Sequence, residues 1–157
     1  MKEIQLTKGM VTMVDDGDYE FLNQFKWYAL KPTGNKKYYA ARGVYRNGKR
    51  TTEYMHKVLL DTKDYVDHWN RNSLDNQRNN LRSATPSQSR ANSEPKGTSK
   101  YMGVSWSKGS RKWQVNIAKG GKKYHLGLFD NERDAALRYN SWAKEIYGEF
   151  ANLNVVE

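Results

Sequence analysis

Asp67 and His68 stand side by side in the segment Tyr65 to Asn92, YVDHWNRNSLDNQRNNLRSATPSQSRAN, ahead of an Asn-dense loop and the tripeptide Asn80-Leu81-Arg82. A carboxylate holds a hard divalent cation through oxygen. A neutral imidazole, whose unperturbed pKa is about 6.5, can take the proton from an attacking water. A cation held beside it polarises a phosphate and stabilises the leaving oxygen. In a strongly basic chain the pair therefore suits phosphodiester hydrolysis. An Asp-His dipeptide is also common as a purely structural feature, so context decides. Neighbours on a regular strand point to opposite faces. Asp67 and His68 can address one phosphate only if the backbone bends or the phosphate lies between them.

The composition supplies that context. The chain has 157 residues, 27 Lys+Arg against 17 Asp+Glu, a net charge of +10 and a pI near 9.7. A polyanionic partner follows, and nucleic acid comes before membrane because no basic amphipathic helix is visible. Apolar residues are 37% of the chain, too few for one large core, whereas five Trp and eleven Tyr argue against disorder. The absence of cysteine excludes a disulfide scaffold and every thiolate zinc site. No apolar run reaches the roughly 18 residues of a membrane span, and MKEIQLTKG lacks a secretory apolar segment. The expectation is a soluble, intracellular monomer with no membrane partner and no obligate protein partner.

The positioning elements come next. Ser93 to Lys100 (SEPKGTSK) has the composition of a linker, which predicts a first domain over 1–94, a linker over 95–100 and a second domain over 101–157. Upstream, MVTMV, KWYAL, YYAARGVY and RTTEYMHKVLL read as short strands, with turns at Asp15 to Asp18, Thr33-Gly34-Asn35 and Asn47-Gly48. Downstream, YMGVSW is a first strand. In RKWQVNIA, Trp113, Val115 and Ile117 alternate with Lys112, Gln114 and Asn116. Lys119-Gly120-Gly121-Lys122 supplies a hairpin turn before KYHLGLF. Asp130 or Asn131 then caps a helix whose Ala135, Ala136, Tyr139, Trp142, Ala143 and Ile146 recur at three- and four-residue spacing until Gly148. The whole is α+β.

Charge follows the same division. Pro95 to Lys123 carries eight basic residues and no acidic one, and Asp130 to Glu157 carries three basic and six acidic. A sheet with a basic face and an acidic helix behind it accounts for this. The open face would present Lys112, Gln114, Asn116, Lys123 and His125, with Lys108, Arg111 and Lys119 in the adjoining turns. Lysine neutralises phosphates, while Gln and Asn can make paired bonds to adenine edges in the major groove. An ordinary solvated sheet face would have the same alternation.

Two resemblances sharpen these expectations. YMGVSW, KWQVNIA and KKYHLGLFDNERDAALRYNSWAKEIYGEFANLN, over roughly 99–154, resemble the AP2 DNA-binding domain of plant transcription factors and phage endonucleases. That likeness implies a three-stranded sheet docked in the major groove. Met102, Ser105 and Ser107 stand where plant members present arginines, so no target sequence carries over. Val66-Asp67-His68, the Asn-rich loop and Asn80-Leu81-Arg82 resemble the HNH (ββα-metal) endonucleases, especially phage homing endonucleases, over about 2–92. That likeness implies Asp67 as a metal ligand for Mg²⁺ or Mn²⁺, His68 as general base, Asn80 orienting the imidazole, Arg82 on phosphate, and a helix around Pro86 to Asn92. His56 reads as structural.

At the position where that family completes its metal site with Asn or His, this chain has Ser89. Either Ser89 binds through a water, or Asn92 takes over, or metal binding is impaired. Two readings stay open: a homing-type endonuclease that cuts or nicks double-stranded DNA in the cytoplasm of a bacterial host, encoded by phage or host, and a non-catalytic, sequence-specific DNA-binding regulator with a decayed nuclease site.

Overall fold

The computed structural model describes residues 1–95 and 97–156; Lys96 of the linker and Glu157 lie outside the described residues. The chain is α+β and divides into two compact units, Met1–Ala84 and Thr85–Glu157. The division falls after Ala84, ahead of the linker composition at Ser93 to Lys100, so the segment 85–94 counts with the second unit. Among the described residues no helix is long and apolar enough to cross a membrane.

The first unit begins with β1 (Lys2–Gln5) paired antiparallel to β2 (Val11–Val14). The sequence reading placed a turn at Asp15 to Asp18. Instead Asp15 opens α1 (Asp16–Asn23), with Asp16 and Asp18 in the first turn, where carboxylates complement the helix dipole. Leu22 is fully buried and Tyr19, one turn earlier, packs on the same core. A helix of eight residues with one buried anchor has too weak a period to be read from sequence.

Next come β3 (Tyr28–Leu30), β4 (Tyr39–Arg46) and β5 (Lys49–Tyr54), a sheet in that order. Arg46 pairs with Lys49 across Asn47-Gly48, both at positive φ, the two-residue hairpin that an Asn-Gly pair favours. The expected strand Arg50 to Leu60 is half right. At Tyr54 it turns into α2 (Met55–Leu59), because Met55, His56 and Leu59 are buried together at helical rather than alternating spacing. Finally β6 (Tyr65–His68) pairs antiparallel with β7 (Leu81–Ala84). Ile4, Val14, Leu22, Trp27, Met55 and Leu81 lie in one core cluster, to which every strand and helix of the unit except β5 contributes.

The second unit starts with α3 (Pro86–Ala91), opened by a capping box: Gln88 N–H donates to Thr85 Oγ1 and Thr85 N–H to Gln88 Oε1. Then β8 (Val104–Ser107), β9 (Lys112–Lys119) and β10 (Lys122–Phe129) form an antiparallel sheet ordered β10-β9-β8. Lys119 pairs with Lys122 across Gly120-Gly121. Helix α4 (Glu132–Tyr147) is capped by Asn131, whose side chain accepts from the Arg133 N–H, and stops at Gly148. Val104, Val115 and Ile117 from the sheet and Ala135, Ala136, Tyr139 and Ala143 from α4 form the second core.

Gly103 is the tightest point of that packing. Its φ is +71°, and a Cβ there would lie 2.1 Å from the Tyr139 ring and 2.6 Å from the Asn116 carbonyl. The tail closes the unit through paired amides. Asn154 accepts from Met102 N–H at 2.6 Å and donates to its carbonyl at 3.2 Å, while Asn140 bonds the Asn154 backbone at 2.7 and 2.8 Å.

Candidate active site and nucleic-acid face

The β6–β7 hairpin carries Asp67, His68 and Arg82, and Asn80 immediately precedes it. Asp67 faces Arg82 across the ladder, and Arg82 Nε and Nη2 both donate to Asp67 Oδ2, at 2.9 and 2.8 Å. Asp67 is buried and Arg82 half-buried, so this is a charge-assisted, largely desolvated pair. The guanidinium also lies 5.3 Å from the ring centre of the exposed Trp69.

His68 is held by a chain of bonds that assigns its protons. Thr12 Oγ1 donates to the Leu74 carbonyl at 2.8 Å, so it accepts from Asn76 Nδ2 at 2.7 Å. Asn76 therefore turns its Oδ1 to His68 Nε2, 3.3 Å away. An amide oxygen can only accept, so the ring carries its proton on Nε2 and its basic lone pair on Nδ1. Burial lowers the His68 pKa most strongly, and the Lys37 charge lowers it too; the Asn76 bond and the Asp67 and Asp75 charges act in the opposite sense without reversing it. The imidazole is thus neutral and competent as a base near neutrality.

Asn80 is on the loop, not on the ring. Its Oδ1 accepts from Asn70 N–H and its Nδ2 donates to the Asp75 carbonyl, both at 2.8 Å, so it clamps the loop that begins after His68. The residue bonded to the imidazole as its orienting partner is Asn76, which spacing alone does not single out among so many asparagines. His56 was read as structural, yet its ring centre lies 5.1 Å from that of His68, edge to face. It stacks on Tyr54 and contacts Tyr39, which also approaches His68 at 6.3 Å. Burial and the neighbouring His68 and Lys57 charges push its pKa down to about 3, and its buried Nδ1 has no hydrogen-bond partner among the described residues. The signal in the sequence was the apolar setting of YMHKVLL, which a histidine enters only as the neutral ring.

Ser89 and Asn92 belong to the second unit. Ser89 lies within α3, its N–H bonded to the Thr85 carbonyl, and Asn92 is the buried C-cap residue of that helix. Among the described residues no three His, Cys, Asp or Glu side chains are grouped as metal ligands. The donor set suited to a hard cation is the Asp67 carboxylate with neutral oxygen donors. Magnesium usually takes one or two carboxylates, with water and phosphate oxygens completing its shell.

In the second unit, ladder register decides which side chains share the face away from α4. Asn116 pairs with His125, Ala118 with Lys123, Gln114 with Ser105 and Leu128, and Lys112 with Ser107. Lys112, Gln114, Asn116, Lys123 and His125 are thereby on one surface, as the alternation predicts. Lys112 is tied at its rim to Asp130 at 3.1 Å. Lys108 and Arg111 flank the β8–β9 connection and Lys119 ends β9. A register shift between His125 and Gly127 was not anticipated. It takes Leu126 up as an extra residue, returns Phe129 to the core side opposite Trp113, and places the exposed Leu128 beside Gln114.

A fixed neutral imidazole next to a buried carboxylate, in a chain of net charge +10, is the equipment of a phosphodiester-cleaving protein. The chain is 31% identical over 160 residues to an uncharacterized HNH endonuclease of Acanthamoeba polyphaga mimivirus, an alignment spanning 96% of this chain and 78% of that protein. It belongs to the HNH endonuclease family. It is also 34% identical over 89 residues to Protein 3.8 of Escherichia phage T7, covering 55% of this chain and 73% of that one. No family profile matches the chain, and no solved structure matches it.

Proposed function

We propose that this protein is a metal-dependent DNA endonuclease of homing type, cutting or nicking double-stranded DNA. The reading assigns the nuclease domain to 1–94, a linker to 95–100 and an AP2-type DNA-binding domain to 101–157. The observation that carries it is the Thr12–Asn76–His68 chain, which holds a buried, neutral imidazole at the residue after Asp67. His68 Nδ1 is the base that takes the proton from water. Asp67 would hold Mg²⁺ or Mn²⁺, and the family resemblance offers either Ser89, through a water, or Asn92 in its place as a further ligand. When bound, the cation supplies polarisation of the phosphate and stabilisation of the leaving oxygen. In holding it, Asp67 exchanges its Arg82 partner, and the guanidinium is then available to a phosphate oxygen. Asn80 keeps the loop after His68 in place.

The open sheet face of the second unit selects the site. Gln114 and Asn116 read base edges, while Lys112, Lys123, His125 and the turn cations Lys108, Arg111 and Lys119 meet the backbone. Two modest binding modules on one chain reach a joint affinity that neither has alone.

The test is cleavage of source-organism DNA with Mg²⁺ or Mn²⁺ by the native protein, His68→Ala and Ser89→Asn. Discrete metal-dependent cuts that vanish in His68→Ala, with duplex affinity retained, are the expected result. Cutting by Ser89→Asn alone places the defect in the metal site. Tight duplex binding with no cutting by any of the three overturns the enzyme in favour of the regulator.

A further inference from the structure

The hairpin site leaves unused a basic concavity of the first unit. Residues 9–11, 36–38 and 71–74 line an open cleft of about 500 Å³. Lys36, Lys37 and Arg71 are among them, and no carboxylate is. Lys8 and Lys31 add to this charge, their ammonium groups 4.9 and 5.7 Å from the ring centre of Tyr38 in the cleft wall. Five cations without a lining anion repel one another, and an anionic occupant relieves that repulsion.

The cleft is built rather than incidental. Ser73 Oγ donates to the Tyr38 carbonyl at 2.6 Å and Lys37 Nζ to the Arg71 carbonyl at 2.9 Å, so two walls are cross-linked. Asn70 and Asn72 side chains accept from the N–H groups of Asn72 and Leu74, which fixes the third wall as successive turns. Arg71 is held at φ +64° with its N–H on the His68 carbonyl at 2.9 Å. The loop that leaves the base is therefore the loop that lines the cleft. The Arg71 N–H on the His68 carbonyl and the Lys37 charge acting on His68 tie the cleft to that residue.

We infer that this cleft seats the DNA backbone phosphates flanking the scissile one, with Lys36, Lys37 and Arg71 as the receiving cations and Lys8 and Lys31 extending the track past Tyr38. The inference rests on the nuclease reading. A shallow basic track without an enclosed slot for a base fits a continuous phosphate backbone better than a free nucleotide.

The experiment measures binding of the full chain to a random-sequence duplex by fluorescence anisotropy, without added metal, between about 50 and 200 mM salt. Native protein is compared with Lys36→Gln, Lys36→Arg and Lys36→Gln/Arg71→Asn. Both side chains are exposed, and asparagine tolerates the positive φ at position 71 better than most residues. Each lost phosphate contact should make the slope of log K against log salt shallower by about 0.9, so about 1.8 for the double variant, with Lys36→Arg like native. Thermal unfolding reports that the fold is kept, and Lys36→Gln alone gives half the shift should the double variant be unstable. Native protein that cuts DNA while the variants keep its slope overturns the cleft and leaves the nuclease standing. Native protein that neither binds nor cuts duplex overturns both. Single-stranded RNA competing as well as the duplex overturns the assignment to DNA.

Discussion

His68 and His56 face each other as two neutral rings in a buried pocket, and protonating either one puts a charge where water is excluded. For His56 the ordinary value of 6.5 falls to about 3. A folded-state pKa below the unfolded one means the unfolded chain binds more protons as pH falls, so stability is full above about 6.5 and drains away as the pH descends towards 3. His56 alone should then lower stability by about 2 kcal/mol between about pH 7 and pH 5. His68, lowered by the same burial, adds in the same direction. In His56→Phe the melting temperature should depend less steeply on pH over that interval, and Nδ1 has no bond to lose. An identical slope in native protein and variant would remove the histidine account of acid sensitivity. At this scale Asp67-His68 was legible as a dipeptide with chemistry in it. Asn76 was not, because one amide among many differs from the rest only by what Thr12, sixty-four residues away, does to it.

Strand β9 and its neighbours carry the selectivity argument. Cross-strand register fixes Gln114 and Asn116 on the surface opposite α4, with His125 and Lys123 beside them on β10. Gln114→Ala or Asn116→Ala should relax preference at particular base pairs, by about 1–3 kcal/mol for a paired contact. Lys123→Ala should instead weaken binding to every sequence alike and make it less salt-dependent. Binding-site selection on randomised duplexes separates the two classes; uniform losses in all three would mean that this face does not read bases. The same element depends on Gly103, whose carbonyl accepts from Asn116 N–H at 2.8 Å. Gly103→Ala drives a methyl into Tyr139 at a backbone angle that alanine resists, so chemical denaturation should show a loss of about 3 kcal/mol or more. Alternation predicted which side of β9 is polar. It did not predict Leu128 on that side, since the bulge that turns it outward is decided by packing Leu126 and Phe129 on the core.

For the whole molecule, the charge and the short motifs point to nucleic acid as the partner and leave two readings open, phosphodiester cleavage and binding without cleavage. Those are additive properties: charges sum and strand periods repeat irrespective of how the chain closes. Helix α1, the turn from β5 into α2 and the membership of α3 in the second unit are of another kind. Each depends on which apolar side chains meet across long stretches of chain, and short elements carry too little period of their own to announce it. The tautomer of His68 and the basic cleft beside it belong to the same class. Residues 8–12 and 31–38 carry no signal along the chain, and they meet the Asn-rich loop at 70–76 only where β1–β2, the β3–β4 connection and the loop after β6 come together in space, because hydrogen bonds and local fields depend on distance rather than on order in the sequence.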